Sequence, residues 1–126
     1  MRSIPLNEGD EILSSTHEYG ALDKAWDFIS KKRGATHVKA VIPNPISSKA
    51  EFIDAFVSAI TSRTKVIFIS HITSSTGLIF PIKEIIKVAQ QQNILTIIDG
   101  AHVPGHIQLN LTELDVDIYT GTCHKW

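Results

Sequence analysis

Cysteine is almost missing from this chain. Cys123 stands alone, so there can be no internal disulfide and no four-cysteine zinc centre. A charge of one sign is missing too: 12 Lys and Arg against 13 Asp and Glu leave a formal net charge of −1. That balance removes the electrostatic case for binding nucleic acid or an anionic membrane. No apolar run reaches the length of a membrane span, and Met1-Arg2-Ser3-Ile4-Pro5 lacks the apolar core of a secretory leader. Repeats, low-complexity tracts and linkers do not occur. Neither a Gly-x-Gly-x-x-Gly turn nor a phosphate-loop lysine is present, which weighs against a nucleotide-binding domain. What remains is 126 residues, 43% of them hydrophobic, with the expectation of a cytoplasmic protein. That length suits one domain or part of a larger one, with a real core.

The pattern along the chain predicts alternating strands and helices. Glu11–Ser15 reads as a short strand, and Ala21, Leu22, Ala25, Trp26, Phe28 and Ile29 recur at helical spacing until Gly34 stops the helix. His37–Ile42 reads as a strand closed by Pro43-Asn44-Pro45. Ser47 or Ser48 caps a second helix whose Phe52, Ile53, Phe56, Val57 and Ile60 form an apolar face. Lys65–Ser70 is apolar and β-branched, as a strand buried on both faces requires. Pro81 opens a third helix, Ile94–Asp99 is another buried strand, and Asp117–Gly121 a last one. This order predicts an α/β fold: a mostly parallel sheet with right-handed crossovers and helices on both faces. Ligands of such sheets sit outside the carboxyl ends of the strands. His17, the segment His71–Thr76, Asp99 with His102, and Thr120–Lys125 all fall at those ends. Four segments thus converge on one crevice.

Each candidate has an ordinary and a chemical reading. Asp99 either caps the turn at Gly100-Ala101-His102 or faces a cationic ring nitrogen. At about 4 Å and an effective dielectric of about 20, such an ion pair is worth on the order of 4 kcal/mol before desolvation. Lys125 is either a solvated surface residue or an amine that bonds a carbonyl group. Thr122 and His124 form a polar turn or contact phosphate oxygens. His102 and His106 stand four apart, but Pro104 and Gly105 between them oppose the helix a metal pair would need. His37 and His71 read as structural, and Cys123 as a small buried residue.

Taken together, five segments carry a resemblance. They are Gly9–Leu13, Thr16–Ala21, Ser70–Gly77 with Pro81-Ile82, Asp99–His102, and Thr120–Trp126. The chain resembles part of the large domain of class V aminotransferase-fold enzymes that use pyridoxal 5′-phosphate (PLP), in the branch of isopenicillin-N epimerase-like and cysteine desulfurase-like proteins. The resemblance implies the aspartate aminotransferase-like large-domain fold and assigns roles. Lys125 matches the lysine that forms the Schiff base with the cofactor and then moves protons at the substrate Cα. Asp99 matches the acid on the pyridine nitrogen. His102 matches the contact to the ring oxygen, a position often Gln in desulfurases. His17 matches the histidine stacked on the ring, and Thr122 and His124 match phosphate ligands. Ser74 stands where many desulfurases have an asparagine, and Thr73 and Thr76 line the same loop.

The resemblance also implies that residues 1–126 are a partial PLP-binding large domain. The N-terminal segment and the C-terminal small domain of the family would be absent, along with the arginine that binds a substrate carboxylate. The expected substrate is a small amino acid, handled by a lyase, desulfurase or epimerase. Relatives of full length are expected to be homodimers. A chain ending at Trp126 is expected to bind PLP weakly and to turn over little by itself. The alternative is a non-catalytic truncated or split fragment that keeps the fold and binds a partner chain.

Overall fold

The computed structural model describes Met1 and residues 3–125; Arg2 and Trp126, the latter closing the last motif, lie outside the described residues. Among the described residues, five strands form one sheet: β1 (Glu11–Ser15), β2 (Thr36–Ala40), β3 (Thr64–Ser70), β4 (Leu95–Asp99) and β5 (Ile118–Thr120). Their spatial order is β2-β1-β3-β4-β5, and every neighbouring pair is parallel. Helices α1 (Gly20–Arg33), α2 (Lys49–Val57), α3 (Ile82–Gln91) and α4 (Leu111–Leu114) link them.

The chain reverses direction across the sheet after β2, so β1 and β3 flank a switch point. With right-handed crossovers, that reversal moves the helices to the opposite face. Two cores result. Trp26 of α1 packs with Ile12, Val66, Phe68 and Ile97 on one face, joined by Ile4 and Leu6. Phe52 and Phe56 of α2 and Ile82, Ile85, Ile86 and Ala89 of α3 pack on the other, against Leu13, Ile67, Ile69 and Ile98. β3 is buried on both sides, as its unbroken apolar run predicts.

Local signals explain most boundaries. Gly34 ends α1 in the left-handed region at φ 69°, where its amide donates to Ser30 O. Ser48, not Ser47, caps α2, its side chain accepting from Glu51 N. β2 stops at Ala40 rather than Ile42, because β1 ends at Ser15 and offers no further ladder partner. The Ile42 amide turns instead to Thr16 Oγ1, and Val41 is exposed. Phe28 is also exposed, since at 100° per residue it lies off the stripe of Leu22, Trp26 and Ile29. The short α4, capped by Asn110 onto Glu113 N, had no place in the predicted pattern.

Candidate functional site at the carboxyl edge

Register aligns Ser70, Asp99 and Thr120 as neighbours across β3, β4 and β5. Side chains alternate along each strand, so all three fall on the α1 side of the sheet, at its carboxyl edge. They form the floor of a cleft of about 500 Å³. Tyr19 and Leu22 at the start of α1 make one wall, and His102 with Thr122, His124 and Lys125 the other. Cys123–Lys125 wind into a 3₁₀ turn in which Lys125 N donates to Thr122 O at 3.2 Å.

Within this cleft two of the candidate residues meet directly. Lys125 Nζ lies 2.9 Å from His102 Nε2, although 23 residues separate them. A hydrogen bond joins the two, with Nζ as donor wherever Nε2 carries no proton. Asp99 is buried, and its Oδ1 accepts from Ala101 N at 2.9 Å. The turn-capping reading therefore holds for one carboxylate oxygen. Among the described residues no other hydrogen bond to this carboxylate occurs, so the acid keeps acceptor capacity on the cleft floor.

Ser74 also lines the cleft and is exposed. Thr73 and Thr76 bond each other at 2.7 Å, and Leu78 N donates to Thr73 Oγ1 at 2.9 Å, which shapes the loop after β3. His17 is buried and does not line this cleft. Its Nε2 lies 3.2 Å from Ile42 O, its Nδ1 3.3 Å from Thr76 Oγ1, and its ring meets Phe80 edge-on. Cys123 is exposed, not buried, because the 3₁₀ turn carries no buried residue.

Beneath the floor, Tyr119 braces the site. Its hydroxyl lies 2.9 Å from His71 Nδ1, joining β5 to the end of β3. Burial, and then the nearby charge of Asp99, push the Tyr119 hydroxyl up to about 12, so it stays neutral. Burial alone lowers the pKa of His71. His37 is structural, as predicted: Ser14 Oγ lies 2.7 Å from its Nε2 and Asp27 Oδ1 2.6 Å from its Nδ1. This Ser–His–Asp line is enclosed: Ser14 is completely buried, and none of the described clefts is lined by it. Tyr19, Leu22 and Ser70 were not assigned site roles, although Tyr19 and Ser70 lie in the resembling segments Thr16–Ala21 and Ser70–Gly77.

The family model for aminotransferase class-V matches residues 1–126. The chain belongs to the aminotransferase class-V family. This family uses PLP, and the cleft suits such a group: an acid for a ring nitrogen, an amine for an aldehyde, and hydroxyl and imidazole donors for a phosphate. Its size lies within the range of small-molecule sites. Isopenicillin N epimerase of Streptomyces clavuligerus is 37% identical over 124 residues, covering 98% of this chain and 31% of that protein. A probable cysteine desulfurase of Vibrio cholerae is 36% identical, covering 95% of this chain and 29% of its own length. The cystine C-S lyase C-DES, solved with its product cysteine persulfide, superposes at a TM-score of 0.88 with 26% identity, over 98% of this chain and 33% of its own. A C-DES variant holding glycine covalently linked to its PLP cofactor shares the fold at 0.86 and 24% identity, with the same coverage. This class-V chain thus spans about a third of the length of these relatives.

Proposed function

We propose that this chain is the PLP-gripping portion of a class V enzyme acting on a small amino acid, as a lyase, desulfurase or epimerase. The observation that carries the reading is the meeting of Asp99 and the Lys125–His102 pair in one cleft. When bound, PLP supplies an aldehyde that takes up amines and a ring that withdraws electrons from the substrate Cα. Lys125 is the amine that attaches the cofactor and moves a proton at the substrate Cα. His102 accepts from Lys125 Nζ and so aims it. Asp99 holds a proton on the ring nitrogen, and Thr122 and His124 bind phosphate oxygens. A stacking role is proposed for His17, whose present polar contacts at 3.2 and 3.3 Å are long ones to exchange.

Residues 1–126 act in this reading as part of a PLP-binding large domain, and the working enzyme is a homodimer in the cytoplasm. The exposed thiol of Cys123 beside the lysine fits a reducing compartment. The coverage of about a third of each relative supports a second reading, a fold-retaining fragment without catalysis that binds a partner chain. A PLP titration followed by absorbance separates the two. Saturable binding that Asp99→Ala and Lys125→Ala each weaken by about tenfold or more supports the first. Binding that neither substitution alters supports the second.

A further inference from the structure

The ladder between β1 and β3 ends early, at the register pair Leu13↔Ile67, while β3 continues to Ser70. At the end of β3, His71 N donates to Asp99 O at 2.9 Å, so the preceding amide, Ser70 N, faces the β1 side. No strand partner reaches it there, and a buried amide needs an acceptor. Glu18 supplies one. Its Oε2 accepts from Ser70 N at 2.9 Å and from Ser70 Oγ at 2.6 Å, and its Oε1 accepts from Ser15 Oγ at 2.5 Å. One carboxylate thus spans the splayed ends of β1 and β3 at the switch point. Only burial and bonds with Ser15 and Ser70 act on its proton, with no lysine or arginine contributing among the described residues. Placing an acid there without a cation is costly, which an ordinary loop glutamate in solvent would avoid.

The location links Glu18 to the cofactor grip. Ser70 is the register neighbour of Asp99, and both lie on the cleft floor. The Ser70 hydroxyl gives its hydrogen to Glu18, so it offers only lone pairs to the cleft. An acceptor beside Asp99 suits a protonated ring nitrogen. We propose that Glu18 is a positioning residue for the cofactor: by holding the Ser70 amide and hydroxyl, it fixes the end of β3 and, through it, Asp99 on the cleft floor. The proposal rests on the PLP reading above.

The test compares the 126-residue chain with Glu18→Ala and Glu18→Gln in two measurements. One is hydrogen exchange at the Ser70 amide without cofactor; the other is PLP affinity by absorbance titration. Glu18→Ala is expected to speed Ser70 exchange and to weaken PLP binding, each by about tenfold or more. Glu18→Gln keeps a carbonyl for Ser70 and can donate to Ser15 Oγ, so it should restore both to within about threefold of the parent. Faster Ser70 exchange with PLP affinity unchanged overturns the positioning role and leaves the PLP reading standing. A parent chain that binds no PLP overturns that reading and this proposal with it. Should Glu18→Ala fail to fold, Ser70→Ala takes its place: weaker PLP binding with an unchanged circular-dichroism spectrum supports the proposal, and unchanged affinity overturns it.

Discussion

A Cβ placed on Gly100 would lie 2.1 Å from Cε1 of the Tyr119 ring. Gly100 directly follows the end of β4, and Tyr119 passes close beside it there. The glycine of the Asp99-Gly100-Ala101-His102 segment is therefore required by close approach, not by an unusual dihedral angle. Gly100→Ala should cost about 1–3 kcal/mol of unfolding free energy, with the denaturant midpoint falling at constant slope. Because the displaced segment carries Asp99, PLP affinity should fall as well.

The Tyr119 hydroxyl ties β5 to His71, and removing it leaves a ring nitrogen of a buried histidine without that partner. Tyr119→Phe should destabilise the chain by about 1–3 kcal/mol in urea unfolding. The double variant Tyr119→Phe with His71→Leu should lose less than the two single losses combined, because neither half is then left unpaired.

Burial raises the Glu18 carboxyl from 4.5 to about 6, outweighing the bonds from Ser15 and Ser70. The folded chain thus holds this proton more tightly than the unfolded one. The stabilising contribution is complete below pH 4.5 and is lost as pH rises through about 6. Measured against Glu18→Gln, the unfolding free energy of the parent should gain about 1.6 kcal/mol between pH 7 and pH 4.5, approaching about 2 kcal/mol at lower pH, at about 1.4 kcal/mol per pKa unit. A difference that stays flat with pH would contradict the desolvation of this half-buried acid.

Ser14, His37 and Asp27 look like a nucleophile, base and acid, yet they bolt β1, β2 and α1 together. Ser14→Ala should cost about 1–3 kcal/mol of stability, because His37 loses a buried partner, and should leave PLP affinity unchanged. Serine-directed fluorophosphonates should not label the native chain.

The strands and the first three helices were legible because each carries its own local cue: the β-branched run of Lys65–Ser70, the cap at Ser48, the left-handed stop at Gly34. Asp99 and Lys125 were legible as candidates because an acid and an amine at strand ends fall on the carboxyl edge, where sheets of this kind take their ligands. Other parts were written only in three dimensions. Ser70 enters the site through its register with Asp99, which a sequence does not display. Glu18 reads as an ordinary loop acid until the early end of the β1–β3 ladder shows why an acceptor is needed there. Tyr19 and Leu22 reach the cleft because α1 packs on that face of the sheet, and Cys123 is exposed because the last turn lies on the surface.

The central claim is that Lys125 is the residue that carries the cofactor. The chain should be incubated with PLP, reduced with borohydride and digested, and the modified lysine identified by mass spectrometry. A single dominant label on Lys125, lost in Lys125→Ala, is the expected result. Labelling spread over surface lysines such as Lys24, Lys31 and Lys32, and undiminished in Lys125→Ala, would contradict it.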